Sequence, residues 1–193
     1  MTLSQATELD SEELLHLAVA ASDRDQTDQA IGLLKRAIDV DPANARAHYL
    51  LGAEHAQIGL FDRAAQEMQR ALDLDGELDA ARFQLGLLLL TSRQVEPAES
   101  AWKHLDRLGT GHFYVLFKTG LLCLANDEFS ESLRCLRDGI TANQENAPLN
   151  ADMQRIAQQV EAILAQPGAA ASADAEDSSA AHLLINAYTG RRH

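Results

Sequence analysis

Proline is scarce in this chain, at 4 of 193 residues, and only 2 are cysteine. So few prolines leave room for long uninterrupted helices. Two cysteines exclude a disulfide-built scaffold. Basic residues are also in deficit: 16 Lys and Arg stand against 29 Asp and Glu, a net charge of −13. No basic footprint for nucleic acid or an anionic membrane surface is available, so no nucleic-acid and no membrane partner is expected. No apolar run reaches the roughly 18 residues of a membrane-spanning helix. The first ten residues have neither a basic n-region nor an apolar h-region, so no secretory leader is expected and the placement is cytoplasmic. Aromatic residues are 5%, yet apolar residues reach 46%, too many for a chain disordered throughout.

What is present is helical periodicity. No stretch alternates apolar and polar cleanly enough for a strand, so the class is all-α and internal repeats come into question. Gly52, Gly86 and Gly120 lie 34 residues apart, and one step back falls on Ala18. Leu17, Leu51, Leu85 and Thr119 precede them. Ala30, Ala64, Ala98 and Ser132 keep the same step, as do Leu34, Met68, Trp102 and Leu136. Ala37, Ala71, Leu105 and Gly139 follow three residues later.

This pattern resembles the tetratricopeptide repeat (TPR), with a bulky residue at position 4, Leu-Gly at 7 and 8, an aromatic at 11, alanines at 20 and 27 and proline at 32. Four copies are read, at 11–44, 45–78, 79–112 and 113–146. The resemblance implies an α-α superhelix, a solenoid of antiparallel helix pairs. The small residue at position 8 lets the two helices of a pair approach within the usual interaxial 8–10 Å. One pair cannot bury its apolar face alone, so pairs stack.

Helix boundaries agree. Asp10 with Glu13 reads as a capping box. Asp41-Pro42 closes the first copy. Gly59 suits a left-handed turn residue, and Pro97 sits in a first helical turn. After a short lead at 1–10 and the four copies, 147–165 reads as a capping helix with the stripe Leu149, Met153, Ile156, Val160 and Ile163 or Leu164. Residues 166–180 read as a flexible linker. An apolar tail segment follows at 181–193, with Leu184, Ile185 and Tyr188 on one helical face. Such a short helix is marginal alone and should dock. It is either a strap on the side of its own solenoid or a tethered ligand for the groove of its own or a neighbouring subunit.

The resemblance places a concave groove on the first helix of each pair, near positions 2, 5, 9, 12 and 13. Those positions are Leu15, Val19, Tyr49, Ala53, Phe83, Leu87, Leu90, Tyr114, Phe117, Leu121 and Leu124. This lining is apolar and aromatic, whereas the TPR subfamily that clamps a terminal carboxylate carries Lys, Asn and Arg. Only Arg46 is basic at the matching positions. The expected ligand is therefore an apolar helix or peptide of a partner protein.

Catalytic signatures are missing. His48 and His55 are two helical turns apart but occupy packing positions 4 and 11. No His-Glu-x-x-His and no Cys-x-x-Cys occurs. Cys123 and Cys135 read as reduced core thiols. Asp73-Leu74-Asp75-Gly76 is a turn, not a calcium loop. No enzyme activity, cofactor or metal is expected. The chain reads as a non-catalytic adaptor or chaperone-like interaction module whose groove its own tail could fill. The alternative is a structural scaffold that forms homo-oligomers through tail docking.

Overall fold

Helix starts recur with the period of the sequence. The computed structural model describes residues 9–165. The linker and tail, including Leu184, Ile185 and Tyr188, lie outside the described residues, as do residues 1–8. The first helices of successive pairs are α1 (Ser11–Ser22), α3 (Ala45–Gln57), α5 (Asp79–Thr91) and α7 (Phe113–Ala125). The second helices are α2 (Thr27–Val40), α4 (Phe61–Leu74), α6 (Val95–Trp102) and α8 (Phe129–Ala142). Each series begins at a spacing of 34 residues. A ninth helix, α9, spans Ala147–Leu164. Among the described residues there is no strand, and the fold is all-α.

Two compact units divide the chain after Ala81. In the first, α1 pairs with α2 and α3 with α4, and α2 lies against α3. Leu14, Leu15, Ala37 and Ala47 form one buried cluster, and Ala18, Leu34 and Leu51 another. A polar seam ties the ends of three helices. Ser11 Oγ donates to the Ala37 carbonyl (3.0 Å), and Asn44 Nδ2 donates to Ser11 Oγ (2.9 Å). Asn44 also caps α3 by accepting from the Ala47 N–H (3.0 Å). In the second unit α7 pairs with α8, and α9 lies against α8. Leu149, Met153, Ile156, Ala157 and Val160 of α9 complete a core built on Trp102, Phe83 and Phe117.

The small residues at position 8 do what packing requires. A Cβ on Gly52 would come within 2.9 Å of Met68 Cγ, and one on Gly120 within 3.1 Å of Leu136 Cγ. On Gly86 it would fall 2.2 Å from Trp102 Nε1. The largest partner thus faces the tightest glycine, and where the partner is Leu34 an alanine, Ala18, stands opposite in register. Gly139 follows the same logic from the other helix: an added Cβ would lie 2.5 Å from the Phe117 ring.

Turns repeat as well. Asp10 and Glu13 form the expected capping box, the Glu13 N–H donating to Asp10 Oδ1 (2.8 Å) and the Asp10 N–H to Glu13 Oε2 (3.0 Å). Gly59 has φ +78°, and the residues in the same register of the repeat, Asp25, Arg93 and Asp127, are also left-handed at 58°, 61° and 60°. The third pair departs from the others. Its second helix stops being α-helical at Trp102 and continues as a 3₁₀ helix over Lys103–Leu108. Leu105, fully buried, stands where Ala37 and Ala71 stand in the earlier pairs. A side chain that large cannot take the close-approach position, and the backbone tightens to accommodate it. Lys118 Nζ secures the junction by donating to Asp106 Oδ1 (2.5 Å) and the Trp102 carbonyl (3.4 Å).

Candidate functional site

The side of α1 and α3 that carries positions 2, 5 and 9 remains partly open in the first unit. Val19 is 39% exposed, and Tyr49 and Ala53 are half-buried. Both charged residues there are engaged with each other, Arg46 Nη1 standing 3.6 Å from Glu12 Oε2. The exposed Leu17 lies on the same helix as Val19. This is a small apolar surface with a polar edge, a form suited to contact with an apolar partner.

Seven of the eleven residues expected to line the groove are buried instead: Leu15, Phe83, Leu87, Leu90, Phe117, Leu121 and Leu124. Leu15 packs with Leu14, Ala37 and Ala47 in the first unit, and the other six pack in the second unit around a group of aromatic rings. The Phe83 ring lies 5.8 Å from that of Trp102, 5.1 Å from Tyr114 and 6.3 Å from Phe117. Trp102 Nε1 also donates to the Phe83 carbonyl (2.9 Å). Fully buried rings have no surface left to offer a ligand, so Phe83 and Phe117 are core residues, not open anchors. Tyr114 is half-buried, its ring against those of Phe83 and Phe113. The tail residues Leu184, Ile185 and Tyr188 lie outside the described residues.

The histidines on α3 pack as their positions suggest. His48 is buried with Nδ1 2.7 Å from Glu67 Oε2, and Nε2 is 3.4 Å from the Pro42 carbonyl. Burial holds His55 below the ordinary imidazole value. Glu67 opposes that shift, while Lys35 and Arg63 add to it. Burial pushes the Cys123 thiol up to about 11, with help from a hydrogen bond to Glu128 and its charge. Cys135 is raised for the same first reason. Thiols held this high carry little thiolate at neutral pH and make poor nucleophiles. Among the described residues no group of three or more His, Cys, Asp or Glu could hold a metal ion. None of their helices is long and apolar enough to cross a membrane.

Paired antiparallel helices at a fixed period, each pair closed by a small residue against a large one, define a helical-repeat interaction module. Residues 23–59 match a family model described as TPR repeat, and residues 45–78 one described as tetratricopeptide repeat. Residues 23–78 therefore carry tetratricopeptide repeats, and the other described helix pairs keep the same period and architecture. A comparison with curated proteins finds no match. Solved structures share the fold. A crystal structure of MamA is 23% identical at TM-score 0.58, over 68% of this chain and 77% of that one. YrrB, titled a TPR protein with an unusual peptide-binding site, is 16% identical at TM-score 0.57, over 94% and 86%. A Thermobaculum terrenum O-GlcNAc transferase mutant is 22% identical at TM-score 0.60, over 73% of this chain but 27% of that one. The family's repeats form protein–protein interaction modules, and that is the class of function the fold supports.

Proposed function

We propose that this chain is a non-catalytic adaptor that holds an apolar helix or peptide against the open side of α1 and α3. The exposed Val19 and the half-buried Tyr49 and Ala53, beside the paired Glu12 and Arg46, carry the reading. An apolar strip with a satisfied polar edge favours an amphipathic segment over an acidic one. The occupant is the chain's own tail through Leu184, Ile185 and Tyr188, displaced when a partner with a similar segment arrives. A 15-residue linker has an r.m.s. reach of about 20 Å and gives a roughly millimolar effective concentration. Even a weak tail contact would then be substantially occupied. The four copies and the closing helix are the frame of this module, and the cytoplasm is its proposed location.

Binding of a fluorescent peptide of residues 180–190 to the full chain tests the proposal. Leu184→Asp, Ile185→Asp and Tyr188→Asp together remove the internal competitor, and peptide affinity should rise about tenfold or more. Val19→Asp with Tyr49→Asp should abolish it. Equal affinity for all three proteins would reject the reading. Tail docking between copies is the second reading, favoured by the same apolar tail. It predicts that the tail substitutions lower the particle mass in light scattering, whereas docking within one chain leaves the mass unchanged.

A further inference from the structure

The cleft between α2 and α4 lies outside the proposed peptide surface and is unlike the rest of the first unit. It encloses a cavity of about 350 Å³ lined by Lys35, Ile38, His48, His55, Arg63 and Glu67, among others. His48 and His55 form its floor. In α1 the residues one period earlier are Leu14 and Ala21, both buried and apolar. In α3 two imidazoles replace such packing residues, and the space between the flanking helices has a polar lining.

Three features of that lining point to one ligand chemistry. Neither Lys35 nor Arg63 has an ion-pair partner among the described residues, and they approach His55 from opposite walls of the cleft, α2 and α4. The acid nearest the floor, Glu67, is turned to His48. His55 is 4% exposed, its ring makes no hydrogen bond among the described residues, and its Nδ1 is enclosed without a partner. An enclosed lone pair costs less than an enclosed N–H, so the ring proton of neutral His55 belongs on Nε2, the nitrogen that is not enclosed. Burial lowers the ring's proton affinity, Glu67 opposes that shift, and Lys35 and Arg63 add to it. Two unpaired cations and one ring N–H line a cavity at the lower end of the small-ligand range, and its two carboxylates are Glu67, engaged with His48, and Asp39.

We propose that this cleft binds a phosphate group, as free phosphate or as the monoester of a small molecule. Lys35 and Arg63 neutralise the dianion and His55 Nε2–H donates to one of its oxygens. Asp39, one turn beyond Lys35 at the rim, limits the charge the cleft accepts and disfavours larger polyanions.

Histidine side-chain NMR on the full chain tests this, with titration at pH 7.5 by sodium phosphate, phenyl phosphate, sodium acetate or sodium chloride at matched ionic strength. Phosphate or its ester should move the His55 ring signals saturably, with a Kd of about 1 mM or below. Acetate and chloride should not. A tighter fit for phenyl phosphate assigns the site to an ester, and equal affinity assigns it to free phosphate. Lys35→Gln and Arg63→Gln, both on exposed residues, should each weaken binding about tenfold and together abolish it. Two results overturn the proposal: a His55 response to phosphate no larger than to chloride, or a double variant that keeps its affinity within twofold.

Discussion

Replacing Gly86 by alanine tests the packing rule on which the repeats rest. A helix interior gains about 1 kcal/mol when glycine becomes alanine, through backbone entropy alone. Gly32 in α2 shows that term unopposed, since a Cβ there would meet nothing within 4 Å. At Gly86 the new Cβ would lie 2.2 Å from Trp102 Nε1, 2.4 Å from Cε2 and 2.5 Å from Cδ1. The indole is fully buried and must move as a rigid body. Overpacking of this kind costs about 1–3 kcal/mol. Displacing the ring also breaks its 2.9 Å hydrogen bond to the Phe83 carbonyl, leaving both groups buried at a cost of about 1–3 kcal/mol. Setting the propensity gain against these terms leaves a net loss of about 3 kcal/mol. With a urea m-value of about 1–3 kcal/mol/M, the midpoint should fall by roughly 1–3 M. Trp102 is the single tryptophan, so its fluorescence during urea unfolding reports on the perturbed site. Gly32→Ala should raise the midpoint in the same assay. Gly86→Ala with Trp102→Leu rebuilds the pairing of Ala18 with Leu34, and with unfolding followed by far-UV circular dichroism its loss should fall short of the summed single losses by more than about 1 kcal/mol. A Gly86→Ala midpoint at or above that of the natural chain would refute the reasoning.

Four further outcomes follow from particular residues. Ser132→Ala should stabilise by about 1 kcal/mol in chemical unfolding, because the buried Ser132 Oγ has no partner and Ala30, Ala64 and Ala98 hold the same register. Arg93→Gly should gain up to about 1 kcal/mol by relieving a left-handed φ of 61°, while Gly59→Ala should lose about as much, both read by thermal melting. Cys123, held at about 11, should resist alkylation at pH 8 in the folded chain and react fast in urea, as mass spectrometry would show. His55 is depressed in the folded state, so the unfolded chain takes up the proton first. Stability should therefore fall as pH drops below about 6.5 and level off once the folded His55 titrates; His55→Phe should flatten that part of the profile in pH-dependent unfolding.

The helix frame was legible because the repeat is ungapped. One register of small residues and one of large residues sufficed to mark both helices of a pair, and Asp10 with Glu13 marked the first start. Gly59 is legible as a left-handed turn because glycine advertises that conformation. Asp25, Arg93 and Asp127 share it without the glycine signal; adding 34 to a known turn position would have found them. The candidate site was less legible. Tyr49 and Phe83 occupy the same register, yet Tyr49 is half-buried and Phe83 is enclosed by Trp102, Tyr114 and Phe117. Register says which way a side chain leaves its helix, but not which rings converge on it from other helices. The 3₁₀ segment after Trp102 has one signal in the sequence, Leu105 in an alanine register.

The sequence by itself determined the all-α class, the period, the helix starts and the small-against-large pairing at Gly52, Gly86 and Gly120. These depend on residues near each other along the chain, and a repeat states the rule several times. Only the tertiary structure decided which apolar side chains remain accessible, and that His48 and His55 meet Lys35 and Arg63 around one cavity. Burial is a property of everything that surrounds a residue, and its neighbours come from helices that the local pattern does not name.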